Sequence, residues 1–94
     1  MITLDVSAGA RGLAALVGRA VALDQMAVAR FQLLGEGLVD VFVTTPFDCI
    51  AARRIEGAVS RDGAVVTARQ LLDALRDAPR GEWREIGPAV DASW

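Results

Sequence analysis

Ala27-Val28-Ala29-Arg30-Phe31-Gln32-Leu33-Leu34-Gly35-Glu36-Gly37-Leu38-Val39-Asp40-Val41-Phe42-Val43-Thr44 decides the fold. On each side of Gly35-Glu36-Gly37 the residues alternate between two faces, which is the period of a β-strand. The two glycines supply the positive φ that a tight hairpin requires. Closing the turn so that Leu34 meets Leu38 sets Leu33 opposite Val39, Phe31 opposite Val41 and Ala29 opposite Val43. All six are apolar, so turn and pattern specify the same register. The other face then pairs Gln32 with Asp40 and Arg30 with Phe42.

Reading onward, Thr45-Pro46-Phe47-Asp48 has the composition of a turn. Proline presets φ, and aspartate bonds its own backbone. A third strand is predicted from Cys49 to about Val59, with Gly57 as a bulge. If Thr44 lies opposite Cys49, Ile50 and Ala52 join the core face and Arg53 faces Asp40. Arg30, Asp40 and Arg53 then form an ion-pair row on the outer face, of the exposed kind that adds little stability. Ser60-Arg61-Asp62-Gly63 is a further turn, and Ala64 to Val66 a short strand. Thr67 and Gln70 have capping-box spacing. Ala68, Leu71, Leu72 and Leu75 continue it as the apolar stripe of a helix over Ala68 to Ala78, ended by Pro79 and Gly81.

Reading backward, Leu23-Asp24-Gln25 is the exit of a helix over Ala8 to Ala22, with Leu13, Leu16, Val17, Ala20 and Val21 at helical spacing. Ser7 is its expected N-cap. Ile2, Leu4 and Val6 share one face of a first strand. The expected order is β-α-β-β-β(-β)-α: an α+β fold, with an antiparallel sheet of three to five strands and both helices on the Phe31/Val41 face. Residues 1–78 form the domain in this reading, and 79–94 an irregular tail.

Composition narrows the function. The 94 residues are 53% hydrophobic and 23% charged, too apolar for intrinsic disorder. There is no His, so neither a Ser-His-Asp triad nor a His metal ligand is possible. One Cys excludes an internal disulfide and a Cys-rich zinc site. Cys49 follows Asp48, whose charge opposes thiolate formation, and reads as a half-buried strand residue. Asp5, Asp24, Glu36, Asp40 and Asp48 fit turns, caps and surface better than acid–base pairs, and calcium-loop spacing is absent. No enzyme activity, cofactor or metal is expected.

The ten cations are all Arg, and the net charge is −2. Arg53 and Arg54 point to opposite faces of a strand, which argues against a nucleic-acid surface. The most apolar stretch, Gly12 to Ala29, carries Arg19, Asp24 and Gln25, so no membrane span is expected. A start without a basic region and a single Cys point to the reducing cytoplasm.

Two surfaces remain. Val28, Leu34, Leu38 and Phe42 make the outer sheet face more apolar than a solvated face, and the tail adds Ile86 with Trp83 and Trp94, the residue type most typical of binding hot spots. With Arg30, Asp40 and Arg53 they form a candidate interface for another protein or a second copy, unless the tail folds back over that face. The alternative is an anion or nucleotide at the Gly-rich loop from Ser7 to Gly12, with Arg11 as its cation.

Val39 to Arg54 resembles a stretch in uncharacterised proteins of GC-rich actinobacteria. Leu13-Ala14-Ala15-Leu16-Val17, Ala20 to Asp24 and Leu71-Leu72-Asp73-Ala74-Leu75 are similar too, so the resemblance covers most of the chain. It carries no known activity and transfers no residue role. It implies that the chain corresponds to the N-terminal portion of such proteins, which would leave Trp83 and Trp94 without their usual partner.

Overall fold

A computed structural model of the chain describes residues 1–46, 49–77 and 83–94. Its elements are β1 (Ile2–Ala8), α1 (Ala10–Leu23), β2 (Val28–Gly35), β3 (Leu38–Thr44), β4 (Ile50–Val59), β5 (Val65–Thr67), α2 (Ala68–Asp77) and β6 (Arg84–Gly87), with a 3-10 turn at Asp91–Ser93. The fold is α+β, as expected. The sheet has six strands rather than three to five, in the order β5-β2-β3-β4-β1-β6, and every pairing is antiparallel.

The β2–β3 hairpin follows the sequence reading. Ala29 faces Val43, Phe31 faces Val41 and Leu33 faces Val39, while Arg30–Phe42 and Gln32–Asp40 lie on the other side. At the tip Leu38 pairs with Gly35 instead of Leu34, because the ladder is irregular between Leu33 and Gly35. Gly35, Glu36 and Gly37 all have positive φ there. Ala29, Phe31, Val39, Val41 and Val43 of the hairpin's inner face, Ile2, Leu4 and Val6 of β1, Leu13, Val17 and Ala20 of α1, and Ala68, Leu71 and Leu75 of α2 form one buried core, while Leu33 near the hairpin tip is exposed. Both helices therefore lie on the Phe31/Val41 face.

The region over 79–94 is not wholly irregular. Arg84–Gly87 adds β6 to β1, burying Ile86 in the core and Arg84 beside the last turn of α2, where it donates to the Ala74 carbonyl. A cation suits the negative end of a helix. Four residues containing Arg and Gly carry no readable alternation, and only the pairing with β1 makes them a strand. Pro79 and Gly81, the expected end of the second helix, lie outside the described residues.

Three residues beyond β6, the Val90 N–H donates to the Val65 carbonyl of β5 at 2.7 Å. Three residues span about 10 Å at most. The two ends of the strand order therefore curl towards each other, and the sheet is nearly a barrel. The Gln70 side chain of α2 lies against Gly87, near this gap.

Two local expectations are corrected. Ser7 is not the cap of α1: it belongs to β1, and its hydroxyl donates to the Glu56 carbonyl. Gly9, at φ 94°, is the N-cap and makes no side-chain bond. Thr67 does cap α2, accepting from the Gln70 N–H at 3.2 Å. The irregularity near Gly57 lies in β1, between Val6 and Ala8. A Cβ on Gly57 would fall on the Asp5 carbonyl oxygen, so the glycine serves close strand approach.

Candidate functional site

The convex face of β2, β3 and β4 is where the sequence-predicted site residues can be tested, and one register decides it. Thr44 pairs with Ile50, not Cys49, so Asp40 faces Arg54 and Val41 faces Arg53. A shift of one residue moves every side chain of a strand to the other face. Ile50 and Ala52, expected in the core, stand on the outer face, and Ile50 is 57% exposed. Ala51, Arg53 and Ile55 point inward instead.

Arg53 is therefore not part of the outer ion-pair row. Its guanidinium passes across the first turn of α1, where a Cβ on Gly12 would collide with it. The missing side chain at Gly12 leaves room for this guanidinium, so an Arg on the inward register of β4 still reaches solvent and is exposed. The partner of Asp40 is Arg54, in a two-pronged contact: Nε to Oδ1 at 2.8 Å and Nη2 to Oδ2 at 3.3 Å. This hydrogen bond to Arg54 holds the Asp40 carboxyl below its ordinary pKa, and Asp40 raises that of Arg54. The pair is exposed, so its contribution is to geometry more than stability.

Arg30 also stands apart from Asp40. It lies across from Phe42, along the Asp62–Gly63 turn, with its guanidinium 5.8 Å from the centre of the Trp94 ring. That distance fits a cation–π contact. Trp94 reaches it because residues 90–94 run beside β5. The Val65 N–H donates to Asp91 Oδ1 at 2.9 Å, and Arg61 pairs with the other oxygen of the same carboxylate. The tail thus folds back over the Arg30 end of the face, as the self-covering alternative required, and Val28 is buried beside Val90 and Ser93. It leaves a cleft of about 500 Å³ walled by Arg30, Phe42, Ile50, Asp62 and Trp94.

Leu34 and Leu38 continue the apolar surface at the hairpin end, Leu34 exposed and Leu38 half-buried. Trp83 does not join them. It is exposed just before β6, which the strand order separates from β3 by β1 and β4. Cys49 is exposed rather than half-buried, and its carbonyl accepts from both the N–H and the hydroxyl of Thr45. Asp48 is outside the described residues. Among the described residues no three Cys, Asp or Glu come together as metal ligands, and no helix is long and apolar enough to cross a membrane.

Sequence reasoning missed Ile50, Arg54 and Asp62 as surface features. The signal for the first two was present: Ile55 and Val59 fix the inward positions of β4 as the odd-numbered ones, whereas counting from the turn at Thr45 fixes them one residue out. Asp62 carried no such signal, since its carboxylate meets the Leu33 N–H at 2.8 Å only after the turn docks on β2.

Arg11, the candidate anion ligand, is exposed on the first turn of α1. That turn has no acidic residue and no side-chain cap. The structure brings Arg53 to the same turn, which the sequence reading did not foresee.

No curated protein and no solved structure matches the chain. A family model described as a domain of unknown function, DUF8010, matches residues 1–94, and the chain belongs to that family.

Proposed function

We propose that the chain is a non-enzymatic interaction domain whose convex sheet face docks another protein or a second copy of itself. The observation that carries this reading is Ile50, a large β-branched side chain exposed beside half-buried Phe42 on the same face. Leu34 and Leu38 extend the apolar surface, and the Asp40–Arg54 pair supplies a polar border. An apolar centre with a polar rim is the usual anatomy of an interface. Charged pairs at such a rim serve orientation more than affinity.

Native mass spectrometry on the untagged protein from its own cells tests this. A homodimer or a defined protein complex is expected. Phe42→Asp should release the bare chain while leaving its melting temperature and circular dichroism close to wild type. A wild-type monomer without partner, or a variant that keeps the wild-type mass, overturns the reading.

A second reading has one observation behind it. Arg53 joins Arg11 at an uncapped helix N-terminus, and both the helix dipole and free N–H groups favour an anion there. A small anion or nucleotide at this turn would raise the melting temperature. The rise should vanish in both Arg11→Ala and Arg53→Ala; no shift across a phosphate and nucleotide panel removes this reading.

A further inference from the structure

We propose that the cleft between Arg30 and Ile50 is a binding site for a small aromatic monocarboxylate. This inference stands apart from the docking of a macromolecule on the same face. Its volume, about 500 Å³, is that of a small-molecule site. Phe42, Ile50 and Trp94 give it apolar walls, and two of these are aromatic surfaces on which a flat ring can lie.

The charge pattern selects the ligand. Of the arginines on or beside this face, Arg54 is paired with Asp40 and Arg61 with Asp91. Arg30 makes no ion pair with any described residue. The Trp94 ring lies against its guanidinium, and the Asp62–Gly63 turn runs alongside it. A guanidinium can offer a carboxylate two parallel N–H donors, and that of Arg30 lines the cleft. Asp62 also lines the cleft, with one oxygen engaged by the Leu33 N–H. Its charge opposes a second negative charge on the ligand, so a monoanion fits where a phosphate dianion or a nucleotide does not. The Gln32 amide completes the polar wall and can bond a ring substituent.

The probe is 2-naphthoate, with 2-naphthamide as its uncharged counterpart and 2-naphthyl phosphate as the dianion. Binding is followed on the intact chain through the amide resonances of Arg30 and Phe42 and the Trp94 indole N–H. Saturable shifts at all three are expected with the carboxylate, and at least about tenfold weaker binding of the amide and the phosphate, the scale of one charge-assisted contact. Arg30→Met should weaken the carboxylate about tenfold and leave the amide unchanged; Arg30→Gln is a second variant should that protein fail to fold. No saturable shift up to about 10 mM, the weak limit of useful affinity, overturns the proposal. So does equal binding of acid and amide, or full retention in the Arg30 variant.

Discussion

Replacing Gly57 or Gly12 by alanine adds the same methyl group and should change stability in opposite directions. At Gly57 the new Cβ falls on the Asp5 carbonyl oxygen, a backbone atom of the adjoining strand. No side chain can swing aside, so β1 must part from β4 where Val6 meets Gly57. Overpacking of a tight site costs about 1–3 kcal/mol, and a site closed by backbone belongs at the upper end. Gly57 also sits at φ 157°, at the margin of what a side chain tolerates, which adds about 1 kcal/mol. The sum, about 4 kcal/mol, is a large part of the 5–14 kcal/mol expected for a chain of this length. At Gly12 the Cβ meets only the end of the flexible Arg53 side chain. The guanidinium can move outward into water, and alanine in a helix gains up to about 1 kcal/mol over glycine. Urea unfolding, read by tryptophan fluorescence, gives both values. Gly57→Ala should lower the melting temperature by about 15–30 °C, and Gly12→Ala should leave it level or raise it by a few degrees. A Gly57→Ala protein within about 1 kcal/mol of wild type would refute the close-approach reasoning. A Gly12→Ala protein destabilised by more than that would show that Arg53 cannot move as argued.

The β3–β4 register has a proton-level test. The Asp40 carboxyl titrates below the ordinary aspartate range, and Arg54→Ala should return it to that range, whereas Arg53→Ala should not, as followed by carboxyl NMR. Because the folded pKa is the lower one, the pair's small contribution to stability is present above the unfolded pKa and lost as pH falls through the folded value. Asp91→Ala removes the acceptor of the Val65 N–H and the partner of Arg61. It should cost about 1 kcal/mol in stability, speed hydrogen exchange at Val65 and Val90, and shift Trp94 emission to the red.

The hairpin was legible because two independent signals agreed on it: the Gly-Glu-Gly turn and six apolar residues that pair only in one register. The first residue of α2 was legible for a similar reason, since Thr67 caps a strong apolar stripe. Where a single local signal stood alone, tertiary contacts prevailed over it. Ser7 has the chemistry of a cap, yet β1 continues through it and Gly9 starts the helix, because pairing with Glu56 of β4 draws Ala8 into the sheet. Arg84 looks like a surface residue, and its burial depends on the carbonyl end of a helix ten residues earlier in the chain. The candidate site divided in the same way. Arg30, Asp40, Phe42, Leu34 and Leu38 were on the outer face of a hairpin already fixed. The Trp83 and Trp94 positions followed from the path of residues 83–94, which no periodicity encodes.

Arg53 and Arg54 are adjacent in sequence and do different work, and the physics of β4 explains which does which. With the odd-numbered residues inward, the strand buries Ile55 and Val59, each adding about 1.5–3 kcal/mol, and turns one charge, Arg53, toward the core side. With the even-numbered residues inward it would bury Ile50 as its single large side chain, and both Arg54 and Glu56 would face the core. The first arrangement gains about one large apolar side chain and avoids placing Glu56 in a site without a partner. It also requires a way out for Arg53, and Gly12 provides it. That requirement couples the helix to the sheet: the outer pair of Asp40 with Arg54, the exposure of Ile50 and the arginine beside the first turn of α1 follow from one register. A side chain longer than alanine at Gly12 would block the exit and set the burial of Arg53 against that of Ile55 and Val59. Gly12→Leu should therefore unfold the domain or disturb β4 throughout, with the Asp40 titration returning to the ordinary range. A folded Gly12→Leu protein with Asp40 still titrating low would show that the register holds without that exit.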